Sequence, residues 1–152
     1  MNDKLFYLTS EDSIKLYPAN SGHEFTCQLS QMFPTPTHML GLVEISFEVS
    51  KDVRKLANRD AMLHIMVDVC RDCEVGSHKH PVLRQVSLRE YLLKSTPILR
   101  FPNVLYLPIR QDYMNSITVS VRLADKCCSS ARLASDLNIS GVTRCTFRMK
   151  EA

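Results

Sequence analysis

The chain has 152 residues, of which 45% are hydrophobic and 23% charged, and its formal net charge is +3. A chain of this size can bury a core of its own, so we expect one soluble domain over residues 1–152. No apolar run reaches the roughly 18 residues of a membrane span, and the first residues lack the pattern of a secretory signal. So small a charge also argues against nucleic acid as a partner. We therefore expect synthesis in the cytoplasm and no membrane partner.

Eight short segments in which apolar and polar residues alternate follow one another along the chain. A period of two is typical of strands with one buried face. The clearest is 117–123 (ITVSVRL), and in the third segment Val43, Ile45, Phe47 and Val49 share the apolar face. The predicted strands are Leu5–Thr9, His23–Leu29, Met39–Val49, Met62–Val69, Val82–Leu88, Val104–Ile109, Ile117–Leu123 and Val142–Met149.

Turn-forming residues separate these segments, and only short helices fit between them. Pro34 and Pro36 stiffen one connection, because proline fixes φ and removes a backbone donor. Leu88 and Tyr91 have helical spacing within 88–95. Eight strands in about 150 residues indicate an all-β fold, an eight-stranded single jelly-roll β-sandwich with one or two short helices in its connections. An immunoglobulin-like sandwich is the alternative, but it is shorter, and its characteristic tryptophan is missing from this sequence.

Two of the six cysteines, Cys27 and Cys145, lie on the apolar faces of predicted strands. We expect both to be small core residues with reduced thiols, as is usual for a protein made in the cytosol. The adjacent pair Cys127 and Cys128 falls in a predicted turn. A covalent link between subunits through this pair is a hypothesis.

Cys70, Cys73, His78 and His80 are the only residues whose spacing suggests a metal. Two thiolates and two imidazoles could complete a tetrahedral zinc shell. All four, however, fit within one connection, whereas zinc fingers separate their ligand pairs by a dozen or more residues. A redox role is also disfavoured, because acidic residues flank the second cysteine and no helix begins there. We expect no metal, no cofactor and, since no catalytic signature is complete, no enzymatic activity.

Charged residues at the ends of two strands predict a structural contact. Asp68 closes one strand and Arg84 lies just inside the next, so a bidentate ion pair between them would fix the intervening loop. Gly76 and Pro81 shape that loop. The alternative is that Asp68 and Arg84 contact a partner directly. His64 lies on the polar side of its strand, where we expect it to be exposed or at an interface.

Several short motifs follow one another in a defined order along the chain. The motifs are Phe25-Thr26-Cys27-Gln28-Leu29, Gly41-Leu42-Val43-Glu44-Ile45, Leu63-His64-Ile65-Met66-Val67-Asp68, Val75-Gly76, Pro81-Val82-Leu83-Arg84, Tyr106-Leu107-Pro108-Ile109, Asn115-Ser116-Ile117 and Thr146-Phe147-Arg148. In these the chain resembles the penton-type minor capsid proteins of Polinton (Maverick) elements and adintovirus-like viruses. It departs from them at Met39, where the family often has Trp, and at Val82, where Leu is usual.

The resemblance implies a structural protein of the virion. A single jelly roll of this kind forms homopentamers at icosahedral vertices, beside double-jelly-roll major capsid subunits, and a spike or fibre protein is a further candidate partner. Arg144, Arg148 and Lys150 form a basic stripe on the outer face of the last strand. We expect the stripe to be solvated, with an acidic capsid subunit and packaged genome as alternatives. Two other functions stay open: a monomeric β-sandwich that binds a ligand, and a small zinc-binding regulator.

Overall fold

Strands make up most of the chain in the computed structural model, which describes residues 3–34, 37–49, 62–75, 78–93, 98–124, 131–133 and 139–151. The strands in this part are β1 (Lys4–Thr9), β2 (Glu24–Pro34), β3 (His38–Val49), β4 (Met62–Val67), β5 (Cys73–Val75), β6 (His78–His80), β7 (Val82–Ser87), β8 (Ile98–Arg100), β9 (Tyr106–Pro108), β10 (Tyr113–Ala124), β11 (Ala131–Leu133) and β12 (Ile139–Glu151). A short helix, α1 (Leu88–Leu93), follows β7. Among the described residues, no helix has the length and apolar character needed to cross a membrane.

The long strands form two antiparallel sheets. One has the order β1-β12-β3-β8, with β9 beside β8 on the same partner, and the other runs β2-β10-β4-β7, with β11 added to one end of β10. From β1 to β4 the chain changes sheet at every long strand, and it does so again from β7 through β8 and β10 to β12. This is the strand arrangement of a jelly roll, so the predicted fold class is confirmed.

The strand count differs from the predicted eight in its short members. Each of the eight predicted segments contains a strand, but β8 and β9 share one edge position, and β11 adds to the other sheet. The connection that carries Cys73 and His80 forms the hairpin β5–β6. The strands β5, β6, β8 and β11 have three residues each, too few to show alternation, which is why the sequence pattern did not reveal them.

The core lies between the inner faces of the two sheets, where the apolar side chains of both form one cluster. Burial of these side chains is the main stabilising term for the sandwich. One sheet contributes Phe6, Leu8, Leu40, Leu42, Ile45, Phe47, Leu99, Cys145, Phe147 and Met149. The other contributes Phe25, Cys27, Leu29, Leu63, Ile65, Val67, Leu83, Val86, Ile117, Val119, Val121 and Leu123.

A β-bulge changes the predicted inner face of β3. Thr146 of β12 pairs with Glu44 while the next residue, Phe147, pairs with Leu42, so Val43 is the extra residue. A bulge of this kind shifts the alternation by one position. Leu42 is therefore buried and Val43 is only half-buried, contrary to the face assigned from the sequence.

The predicted helix after β7 is present as α1. Leu88 and Tyr91, the residues with helical spacing, are both buried. The Tyr91 ring stacks on Phe47 with the centroids 4.8 Å apart, and its hydroxyl donates a hydrogen bond to the Phe47 carbonyl oxygen. The helix is thereby fixed to β3.

Candidate assembly surface

Strand β1 is an edge strand, and its free backbone groups can be identified from its contacts. Ser10 N, just beyond the end of β1, donates to Thr143 O of β12 at 2.9 Å, whereas Thr9 N donates to Asp12 Oδ2 and Thr9 O accepts from Asp12 N. The backbone of Thr9 therefore points away from β12. Because this direction alternates along an antiparallel strand, the N–H and C=O groups of Leu5 and Tyr7 point the same way. In the described part of the chain no other group reaches them.

Large apolar side chains are exposed mainly on the side of the sandwich formed by β1 and β2. We call this the β1–β2 side. The described part has seven such residues, and six of them lie on this side. Five belong to β1, to the connection after it or to β2, and the sixth, Tyr113, pairs with the end of β2. The six are Leu5, Tyr7, Ile14, Leu16, Met32 and Tyr113. An apolar surface concentrated in this way is typical of an interaction site.

A groove of about 720 Å³ runs between β1 and β2 on this side. Along the groove β2 bulges, with Leu29–Met32 opposite the single residue Asn115 of β10. Phe6 and Phe33 meet edge to face with their centroids 5.3 Å apart, and Lys4 Nζ lies 4.7 Å from the centre of the Phe33 ring. The groove therefore has an aromatic base and a free strand edge along one wall.

The edge of β2, by contrast, is partly covered by the connection that precedes it. Asn20 forms two hydrogen bonds with the backbone of Thr26, at 2.8 and 2.9 Å. Ser13 Oγ accepts a hydrogen bond from Gln28 N at 2.9 Å. Side chains that pair with an edge in this way prevent another strand from adding to it. On the β1–β2 side, the edge left open is therefore that of β1.

The sheet that contains β1 has its opposite edge at β8 and β9. The remaining exposed apolar residue, Leu105, lies at this edge and is 57% exposed. Leu105 precedes β9. Arg84 holds the preceding turn, since its Nη1 donates to Asn103 O at 2.8 Å and its guanidinium lies 4.3 Å from the centre of the Phe101 ring. Gly41 of β3 lets the segment approach closely, because a Cβ at that position would collide with Val104 and Tyr106.

His64 is buried, at 1% exposure, although we expected it to be exposed or at an interface. Gln85 of β7 lies beside it, with the two Nε2 atoms 2.8 Å apart, and Nδ1 has no partner among the described residues. The Gln85 amide nitrogen can only donate, so Nε2 accepts and the ring is neutral. Burial lowers the pKa of His64, and nearby His80 lowers it further. A cavity of about 310 Å³ adjoins this position and is also lined by Cys73 and Gln85.

Three of the four metal candidates, Cys70, Cys73 and His80, have described side chains and lie in one region of the structure. Cys70 is buried, and its backbone forms an isolated antiparallel β-bridge with that of Ile109. Burial, with a smaller contribution from Asp68, raises the pKa of the Cys70 thiol to about 12. Cys73 and His80 face each other in the β5–β6 hairpin, where Cys73 Sγ donates to His80 O at 3.3 Å. His78 lies in β6, and its side chain is outside the described part. Among the described side chains, no three His, Cys, Asp or Glu residues are arranged to hold a metal ion.

Asp68 and Arg84 do not form the predicted ion pair, because each has another partner. Asp68 Oδ1 accepts from Thr118 N at 2.9 Å, which fixes the end of β4 to β10. Arg84 instead holds the turn before β9, as described above. Pro81 accepts a hydrogen bond from Val67 N at 3.1 Å, and Gly76 lies outside the described residues. The strand register explains the difference, because the residue opposite Arg84 on β4 is Ile65, three residues before Asp68.

The basic stripe lies on β12, which is an inner strand of its sheet. Arg144 is exposed, while Arg148 and Lys150 are half-buried. Lys150 Nζ lies 3.9 Å from the centre of the Tyr106 ring. At this distance a cation and an aromatic face attract each other, so part of the stripe is engaged within the molecule.

The two cysteines expected in the core are there. Cys27 and Cys145 are buried and carry free thiols. Burial raises the pKa of both, to about 11 for Cys27, with small additional effects of Asp12 on Cys27 and of Cys27 on Cys145. The pair Cys127 and Cys128 lies outside the described residues.

The two strand edges were missed by the sequence reasoning. In 4–9 (KLFYLT) both faces are partly apolar, with Leu5 and Tyr7 on the face opposite Phe6 and Leu8. This excess of apolar residues was the available signal. It carried little weight alone, because single exposed apolar residues are common on soluble proteins.

The chain was compared with known proteins. Its fold matches the crystal structure of the selenomethionine-labelled mavirus penton protein with a TM-score of 0.64, over 99% of this chain and 100% of that chain, at 8% sequence identity. No protein-family model matches the chain, and no curated protein matches it either. At this identity the likeness shows a penton-like fold.

Proposed function

We propose that residues 1–152 form a single jelly-roll domain that serves as a penton-type minor capsid protein at the vertices of a virion. The chain is a structural protein without enzymatic activity. The full-length likeness of its fold to the mavirus penton protein is the observation that carries the proposal. The family resemblance found in the sequence, to the pentons of Polinton elements and adintovirus-like viruses, supports it independently.

In this proposal the protein assembles into homopentamers. The β1–β2 side supports self-association, because its exposed apolar residues gain by being covered. Closed rotational symmetry is the usual arrangement of identical subunits, and it also covers strand edges that would otherwise invite aggregation.

The assembled ring contacts the double-jelly-roll major capsid subunits that surround it, and it offers its outer surface to a spike or fibre protein. Arg144 is the exposed member of the basic stripe and belongs to the outer face of its sheet. An acidic surface of a neighbouring capsid subunit suits this position. Asp68, Gly76, Pro81 and Arg84 act within the subunit, where they fix the loops between strands.

Native mass spectrometry of the purified protein, over a wide range of concentrations and with or without the major capsid protein, tests the proposal. We expect a species with five times the mass of the chain, alone or on addition of the major capsid protein. A chain that stays monomeric under all these conditions would contradict the proposal, and would favour a monomeric binding module.

A further inference from the structure

The sheet β1-β12-β3-β8/β9 has two edges, and both combine an exposed leucine with free backbone groups. At β1 the free groups are the N–H and C=O of Leu5 and Tyr7, as derived above. We call these two residues the β1 edge.

The same reasoning applies at β9. Ile109 N donates to His38 O of β3 at 3.1 Å, and Leu107 pairs with Leu40. The backbone of every second residue therefore points away from β3. At Pro108 and Arg110 these groups are already bonded to the segment 69–71, since Arg71 N donates to Pro108 O and Arg110 N donates to Val69 O, both at 2.9 Å. Tyr106 points the same way, and within the described residues no group pairs with its N–H and C=O. Leu105 and Tyr106 form what we call the β9 edge.

We infer that, in the ring of the proposed function, the β1 edge of one copy lies against the β9 edge of the next. The inference rests on the proposed function and names the contact through which the ring closes. The occupant is a second copy, because the chain itself supplies two unlike edges on opposite sides of one sheet. A contact between unlike surfaces repeats around an axis and can close into a ring. A twofold contact of β1 with β1 would leave the β9 edge open.

Two substitutions test the two surfaces separately, one at the β1 edge and one at the β9 edge. Tyr7→Pro removes an N–H that points away from β12, so the ladder between β1 and β12 keeps its bonds, and proline is tolerated at such edge positions. Leu105→Arg places a charge on the β9 edge. Each variant alone is expected to be monomeric at a concentration where the wild-type chain is fully assembled, because each lacks one of the two surfaces.

The decisive experiment mixes the two variants in equal amounts and measures the species by native mass spectrometry. Tyr7→Pro keeps its β9 edge and Leu105→Arg keeps its β1 edge, so the mixture is expected to give a pair of one copy of each and nothing larger. Loss of folding cannot produce that result. Glu48→Lys, at an exposed position of the inner strand β3, is the control and is expected to form rings as the wild type does.

The outcomes distinguish this inference from the proposed function. Rings formed by either edge variant, or a mixture in which no pair forms although circular dichroism shows both variants folded, would overturn the inference and leave the pentamer standing. Wild-type protein that never assembles would overturn both. If Tyr7→Pro does not fold, Leu5→Arg replaces it, with the same expected results.

Discussion

At the scale of single residues, His64 links the packing of the β2-β10-β4-β7 sheet to pH. It is buried beside Gln85 of β7, with Arg122 as its partner in β10 and His80 of the β5–β6 hairpin nearby. Its pKa is lowered in the folded protein, so below about pH 6.5 the unfolded chain takes up a proton that the folded chain resists. The stabilising effect of the neutral ring is present above that pH and is lost as the pH falls.

We therefore expect His64→Gln to reduce the loss of stability between pH 7 and pH 5. Urea unfolding of both proteins at several pH values measures this, and the comparison with the wild type removes the contribution of the other four histidines. Equal pH dependence in the two proteins would contradict the assigned burial of His64.

A second residue-scale prediction concerns the core. Phe147 is completely buried on β12, the inner strand between β1 and β3. Phe147→Ala is expected to lower the free energy of unfolding by about 3–5 kcal/mol, through lost burial and the cavity left behind. Tyr113→Ala, at 62% exposure, is the matched control, with an expected change within about 0.5 kcal/mol. Chemical denaturation measures both, and similar values would show that the two rings are not placed as described.

At the scale of elements, the approach of the β9 segment to β3 depends on Gly41. A Cβ there would collide with Val104 and would lie 2.9 Å from Tyr106 Cδ1 and 3.0 Å from the Leu105 carbonyl oxygen. The backbone oxygen cannot move aside without shifting the strand. Gly41→Ala is therefore expected to destabilise the protein by roughly 1–3 kcal/mol.

Ser46→Ala, on the same strand, serves as the control for Gly41→Ala, with little expected effect. Thermal unfolding of both variants gives the comparison. If the alanine at position 41 leaves stability unchanged, the segment does not lie against β3 as closely as the structure has it.

How far the sequence predicts these elements depends on their length. Long strands such as β10 and β12 show enough alternation to be identified, and the jelly roll follows from their number. Short strands such as β5 have too few residues to show an alternation of apolar and polar side chains. The bulge at Val43 changes which side chains of β3 face the core, and no residue type in the sequence indicates it. The side chains at the two sheet edges could not be assigned, because which strand ends at an edge is a property of the topology.

The ion pair between Asp68 and Arg84 shows the same limit for side chains. Asp68 directly follows β4 and Arg84 is the third residue of β7, but their partners depend on register, which one sequence does not define. Asp68 bonds to Thr118, fifty positions along the chain, and Arg84 to the turn before β9. His64 is likewise on the outer face of its sheet as predicted, and only the structure reveals that this part of the face is covered.

At the scale of the whole molecule, the protein is a sandwich with an apolar side, a core between its two sheets and two unlike sheet edges. Such a shape suits a subunit that repeats around an axis. The rotational order is the property that separates a vertex protein from a binding module or a regulator, since an icosahedral vertex requires five copies.

Electron microscopy of the purified assembly, with class averages seen along the ring axis, measures this order directly. We expect fivefold rings in which β1 of each copy faces β9 of its neighbour. Isolated single sandwiches, or closed rings with a different number of copies, would contradict this expectation.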